Sequence, residues 1–250
     1  MYKLKKKLIR FTIIKYIHRA LQRYNSYLQG LPKISYDSIT KELIQNLINK
    51  PNPTIIEIGC NNGIHTQWFL DSFKSPKVFC FEPDPRAIKQ FKKNIGANTN
   101  VKLFELAISD RNGYLTFYQS SGKDENNSKI KSDDWSQSGS IRQPYVHLKE
   151  YPQIKFEKSL HVKTLTLDTW CTKNGIDNID FIWMDVQGAE KDVFAGGLNA
   201  ISKTRFLYTE YSNKQLYKGQ YNLKQILKKL EQFEVIYRYP SDLLIKNKSI

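Results

Sequence analysis

Ile55-Ile56-Glu57-Ile58-Gly59-Cys60-Asn61-Asn62-Gly63 reads as a buried strand running into a nucleotide-binding turn. A short apolar run carries an acid near its end, two glycines follow four positions apart, and a helix-like segment spans His65 to Phe73. Glycine at 59 permits a tight turn, and glycine at 63 lets a ligand approach backbone N–H groups at the helix N-terminus. The acid discriminates between chemistries, because a pyrophosphate disfavours a carboxylate there and a cationic ligand welcomes it. The dinucleotide fingerprint also requires three glycines as G-x-G-x-x-G. Aligned on Gly59, it would demand glycine at Asn61 and Ile64, and neither is one. Taken alone, the stretch is equally compatible with a plain strand–turn–helix connection.

The flanking sequence decides between them. Lys77-Val78-Phe79-Cys80-Phe81-Glu82-Pro83-Asp84-Pro85 is a second apolar run ending in an acid, with Glu82 about 20 residues beyond Gly63. An acid at the tip of the second strand of a doubly wound sheet accepts hydrogen bonds from ribose hydroxyls. Asp84 suits the N-cap and Pro85 the first turn of a helix over Arg86–Ile95. A third run, Phe181 to Met184, ends at Asp185, with Asp180 at its entry. Parallel sheets bind ligands at the carboxyl edge, so Glu57, Glu82 and Asp185 are delivered towards one rim.

With an acid and two glycines, Glu57-x-Gly59-x-x-x-Gly63 resembles motif I of the class I S-adenosylmethionine-dependent methyltransferases, whose cofactor carries an ammonium and a sulfonium. Phe81-Glu82-Pro83, Ala107-Ile108-Ser109-Asp110-Arg111-Asn112-Gly113, Asp185-Val186-Gln187-Gly188-Ala189-Glu190 and Tyr208-Thr209-Glu210 extend the likeness. Over roughly residues 50 to 245 the chain resembles the FkbM-type methyltransferases, and the combination is far more specific than any one motif. The resemblance implies an enzyme that methylates hydroxyl oxygens, often on sugars, lipid-linked glycans or natural products. It implies S-adenosyl-L-methionine as cofactor, bound by Glu57, Gly59, Cys60, Asn61, Gly63, Glu82, Pro83, Ala107, Ile108 and Asp185. Gln187 departs from the family, many of whose members carry Glu there.

Transfer of a methyl group from a sulfonium is an in-line displacement, so alignment of the reactants accounts for much of the rate. A sugar hydroxyl is a poor nucleophile and benefits from a base. Asp185 and Glu210 lead the candidates, ahead of Glu190, His65 and His161. Glu190 serves equally as a first-turn acid complementing a helix dipole, and His65 as a residue that opens the helix after the turn. There is no H-E-x-x-H and no paired C-x-x-C, and spacing alone cannot bring Asp110, Asp185 and Glu210 onto a metal.

At 250 residues and 40% hydrophobic content, the chain can bury one sizeable core. Strand-like and helix-like segments alternate from Thr54, predicting an α/β fold: a Rossmann-like doubly wound sheet, mostly parallel. Asp110-Arg111-Asn112-Gly113 predicts a turn between Val101–Ile108 and Tyr114–Gln119, a short antiparallel addition. Glu234–Tyr239 and Leu243–Lys248 predict a terminal hairpin that gives the sheet an antiparallel edge. The methyltransferase domain is expected over residues 37–250. Residues 120–153, polar with scattered Trp135, Tyr145, His147 and Tyr151, interrupt it as an acceptor-selecting loop.

Residues 1–36 hold nine Lys or Arg and no acid, so they carry +9 of the +15 net charge and leave +6 elsewhere. Leu4, Leu8, Phe11, Ile14 and Ile17 recur at helical spacing among lysines and arginines. A spanning helix needs about 20 mostly apolar residues, which Lys5, Lys6, Lys7, Arg10 and Lys15 forbid, and no secretory cleavage pattern follows. Two readings stay open: residues 1–30 lie on an anionic membrane surface, or the helix packs on the catalytic domain. Cys60, Cys80 and Cys171 are too few and dispersed for a disulfide framework, which favours a cytoplasmic setting. The concentration of charge at one end argues against nucleic acid as partner. An RNA ribose methyltransferase is the alternative enzyme, and a non-catalytic cofactor-binding module the alternative outside catalysis.

Overall fold

The computed structural model describes the backbone of residues 2–122 and 135–250, and side chains from residue 14 onward outside 123–134. The middle of the expected 120–153 loop, and the side chains of Leu4, Leu8 and Phe11, lie outside the described residues. In chain order the elements are α1 (Tyr2–Leu28), α2 (Lys41–Ile48), β1 (Thr54–Ile58), α3 (Ile64–Ser72), β2 (Lys77–Phe81), α4 (Pro85–Ile95), β3 (Val101–Phe104), β4 (Ala107–Ile108), β5 (Gly113–Gly122) and α5 (His147–Glu150). There follow β6 (Ile154–Leu165), α6 (Leu167–Asn174), β7 (Ile179–Met184), α7 (Glu190–Gly196), α8 (Leu198–Ser202), β8 (Thr204–Glu210), α9 (Leu223–Lys229), β9 (Phe233–Arg238) and β10 (Asp242–Asn247).

The main sheet has the order β3-β2-β1-β7-β8-β10-β9. β3, β2, β1, β7 and β8 are mutually parallel, and β10 lies antiparallel to both β8 and β9. β1 and β7 are apolar along nearly their whole length because helices cover both faces, so neither face needs polar residues. Ile56, Ile58, Ile182 and Met184 pack with Leu167, Trp170, Phe194 and Ile226 on one side. Ile55, Phe181 and Trp183 pack with Ile44, Ile48 and Phe69 on the other. Local chemistry sets the helix starts. Asp84 Oδ1 accepts from Arg86 N (2.9 Å) with Pro85 at the first position of α4, and Asn222 and Gln225 close a capping box on α9.

One local expectation is corrected. The turn after Ser109 does not close a hairpin between the segments on either side of it. β4 pairs parallel with β6, β5 pairs antiparallel with β6, and the three form a separate sheet of order β4-β6-β5. A local turn signal cannot identify a pairing partner some 40 residues away, because the twelve-residue β6 offers β5 a longer ladder than a two-residue β4 could. β5 also extends to Gly122, and α5 lies within the segment expected to be loop.

α1 is docked rather than detached. Tyr36 Oη donates to Gln22 Oε1 (2.7 Å), and the guanidinium groups of Arg19 and Arg23 lie 4.4 and 5.2 Å from the Tyr36 ring centre. Arg238 Nη1 donates to Ser26 Oγ (2.9 Å). Among the described residues, no helix is long and apolar enough to cross a membrane.

Candidate active site

The carboxyl ends of β1, β2 and β7 open into a cavity of about 920 Å³, near the upper end of the roughly 300–1,000 Å³ typical of small-molecule sites. Gly59, at φ 84°, makes the turn out of β1, and a Cβ there would stand 1.8 Å from the Asp185 carbonyl oxygen. Asp185 N donates in turn to Ile58 O (2.9 Å). Only a hydrogen on residue 59 lets the ends of β1 and β7 close this tightly. Gly63 has a different role from the expected one. A Cβ there would meet Ile95 Cγ1 at 2.8 Å, so the glycine admits α4 rather than a ligand, and it is absent from the cavity wall.

Ile58, Gly59, Cys60 and Asn61 form one side of the wall, with Glu82 and Pro83 beside them and Ala107 and Ile108 across. Asn61 N donates to Glu82 Oε2 (2.9 Å) and Asp84 N to Glu82 Oε1 (2.8 Å). Main-chain donors thus fix the carboxyl at the tip of β2. Burial nevertheless raises it to about 7, because the amides only partly offset desolvation. Glu57 behaves otherwise. It is fully buried beneath the turn, outside the cavity wall, where Thr66 Oγ1 donates to its Oε2. Burial lifts it to about 8, so a neutral carboxyl supports the turn from below. The carboxyl expected to meet the cofactor thus lies beneath the cavity wall rather than on it.

Asp185 and Glu210 stand half-buried on the wall at the tips of β7 and β8. Gln187 Nε2 donates to Asp185 Oδ1 (2.7 Å) and to Glu210 Oε2 (3.0 Å), so one carboxamide clasps both acids. Gln187 reaches this position with φ 50°, a conformation that non-glycine residues adopt at a cost and that clusters at functional sites. Both acids are raised above the ordinary range, first by burial. For Glu210 the Asp185 charge adds to it, while for Asp185 the Gln187 hydrogen bond opposes it. Burial and mutual repulsion thus both disfavour two full negative charges on this pair.

The remaining candidate bases separate. Glu190 is buried off the wall, accepts from Gly188 N (3.2 Å), and is raised to about 7 by burial. His65 faces the cavity but stacks on Trp183 (4.1 Å between ring centres), and burial lowers it to about 4. His161 is exposed on β6, and Asp110 is tied to Arg111 at 2.8 Å; neither touches the cavity.

Tyr217, which the sequence did not mark, completes the far wall together with Trp135 and Ser136–Ser138 of the expected loop. Tyr217 Oη donates to Ser138 O (2.7 Å) and approaches Gln187 Oε1 (3.3 Å). Trp135 Nε1 donates to Ser138 Oγ (3.0 Å), and Asn61 Nδ2 donates to Ser136 Oγ (3.2 Å). The described part of the 120–153 segment thus bridges the turn after β1 and the acid pair. A polar segment ending in aromatic residues was the only signal for Trp135, and nothing around Tyr217 marks it in sequence.

A sheet of this order, with a glycine turn after the first strand and acids at the next strand tips, defines a Rossmann-like transferase of the class I methyltransferase type. The family model described as "Methyltransferase FkbM domain" matches residues 57–239. The 2-O-methyltransferase NoeI of Sinorhizobium fredii is 44% identical over 230 residues, covering 90% of this chain and 92% of that protein. Solved structures are more remote. A methyltransferase from Geobacter sulfurreducens aligns at TM-score 0.43 and 14% identity, over 91% of this chain and 86% of its own. An rRNA methylase from Streptococcus thermophilus aligns at TM-score 0.43 and 9% identity, over 83% and 93% respectively. The chain belongs to the FkbM methyltransferase family and is an S-adenosylmethionine-dependent enzyme.

Proposed function

We propose that the enzyme methylates a hydroxyl oxygen of a saccharide-bearing acceptor, with Asp185 as the base and Gln187 and Glu210 as positioning residues. The clasp of Gln187 on both acids, on the wall beside the cofactor turn, carries this reading. The donor set fits S-adenosylmethionine. Glu82 offers a carboxyl to ribose hydroxyls, the Gly59–Asn61 backbone lines the turn, and Ala107 with Ile108 offers an apolar flank. When bound, the cofactor supplies an electrophilic methyl group on a sulfonium.

The protein's own task is then to orient the acceptor and take its proton. Asp185, raised by burial, sits closer to working pH than an ordinary carboxylate, where a general base is most effective. Burial and the Asp185 charge both disfavour a second negative charge on Glu210 beside it. Trp135 and Tyr151, the accessible aromatic residues of the wall, offer rings suited to sugar rings, and the naming of a 44% identical relative as a 2-O-methyltransferase supports hydroxyl oxygen as the acceptor atom. All three cysteines are buried free thiols, which supports a cytoplasmic setting.

The test pairs two variants, assayed by calorimetry with S-adenosylmethionine and by methyl transfer to an oligosaccharide panel. Asp185→Asn should lose about 10²–10⁴-fold in kcat while still binding cofactor. Glu82→Ala should weaken cofactor binding by roughly tenfold or more. Turnover undiminished in Asp185→Asn would remove Asp185 as the base, and transfer to no hydroxyl acceptor would remove the substrate reading.

A further inference from the structure

Two opposite faces of α1 differ in character. Gln22, Ser26, Arg19 and Arg23 turn towards the domain, held by Tyr36 and Arg238. Arg238 also donates to Pro32 O (2.9 Å) and Tyr211 Oη (3.0 Å), so this buried guanidinium seats the helix through several neutral acceptors. On the other side Ile14, Ile17, Leu21, Tyr24 and Leu28 recur at spacings of three and four, one stripe on a 3.6-residue helix. Each is between 51 and 63% exposed, and none belongs to a core cluster among the described residues. Docking on the domain therefore leaves the apolar face of the helix in water.

We infer that this face of α1 seats the enzyme on an anionic lipid bilayer. Residues 1–28 contain eight Lys or Arg and no acid, and six of them remain once Arg19 and Arg23, which face the domain, are set aside. That charge complements anionic headgroups, and an apolar stripe beneath basic residues is the composition of a helix lying in the interfacial plane. A second copy is a poor occupant, because pairing two such helices would bring together two segments of eight like charges each. A nucleic acid would meet the cations and leave the stripe exposed. Tyr16, Tyr24 and Tyr27 supply the amphipathic rings that favour headgroup depth. Gln22, on the docked face of the same helix, lines the catalytic cavity. The helix thus holds the cavity beside the bilayer, in reach of acceptors borne on a lipid.

The experiment is flotation of the full chain with phosphatidylcholine vesicles, with and without phosphatidylglycerol. The native chain should float with the anionic vesicles and only weakly with neutral ones, and salt should weaken the binding. A triple variant, Ile17→Ser, Leu21→Ser and Tyr24→Ser, changes exposed residues only and should bind roughly tenfold or more weakly, with unaltered circular dichroism and cofactor binding. A second variant, Lys5→Gln, Lys6→Gln and Lys7→Gln, should lose the preference for anionic vesicles. A native chain that stays unbound, or a serine variant that floats like the native chain, overturns the inference. So does a concentration-dependent dimer in sedimentation that the serine variant dissociates, which would make a second copy the occupant.

Discussion

The two walls of the cavity, which the proposed function assigns to cofactor and to acceptor, are built by opposite routes. On the cofactor side, residues 58–61 and 82–83 are contiguous pieces of chain at two strand tips, tied by main-chain bonds from Gly59 N and Cys60 N to Phe81 O and by Asn61 N to the Glu82 carboxyl. On the acceptor side, Trp135, Ser138, Gln187, Glu210 and Tyr217 come from separate segments and meet through side chains. A backbone-built wall tolerates few geometries and needs particular residue types at fixed spacing. A side-chain wall can be assembled in many ways from the same scaffold, which is how one fold accepts many substrates.

The largest effect is expected from Gly59→Ala, which should break both walls together. Positive φ alone costs a non-glycine residue about 1–2 kcal/mol, and the new methyl would overlap the Asp185 carbonyl oxygen. Urea unfolding should show a loss of more than about 2 kcal/mol, with no calorimetric cofactor binding; native behaviour in both would mean that β1 and β7 do not close as described.

Gln187→Ala should separate the walls. Cofactor affinity should hold while kcat falls about tenfold, the scale of one hydrogen bond to a charged group. The Gln187 bond lowers the Asp185 pKa. Its loss raises that pKa, leaves less of the base ionised at a given pH, and moves the acidic limb of the kcat/KM profile to higher pH. A limb that stays put or moves down would detach Gln187 from the base.

The last test reads a slope with pH and probes the support beneath the same wall. Glu57 is raised from 4.5 to about 8 in the folded chain, chiefly by burial. The folded state therefore holds a proton that the unfolded state releases. This contribution to stability is complete below pH 4.5 and is lost as the pH rises through 8. Glu57→Gln should flatten the decline of the urea midpoint across that window. Glu82 and Glu190, each raised to about 7, tilt stability the same way, so a residual slope remains; an unchanged slope would place a charged carboxylate at 57.

The division between the walls is also the division in what sequence could disclose. That Gly59, Glu82 and Asp185 reach the cavity wall was readable because a strand tip is a fixed point of a parallel sheet, and the residue there faces the ligand edge wherever the strand is placed. The same reasoning misplaced Glu57 and Gly63. Whether a residue at the rim points into the cavity or beneath the turn depends on which neighbour fills the space, here Thr66 for one and Ile95 for the other. Glu190 followed the same pattern, five residues past Asp185 at the start of α7 but off the wall.

By itself the sequence determined the doubly wound sheet, the glycine turn after β1 and the family. Each follows from apolar runs of strand length and from glycines and acids at short range. Only the tertiary structure decided that β5 pairs with β6, that Gln187 joins Asp185 to Glu210, that Tyr217 closes the far wall, and that α1 turns its apolar stripe outward. Those outcomes join residues tens to hundreds of positions apart. They are selected by packing and by the satisfaction of buried polar groups once the chain is compact, and no local pattern records them.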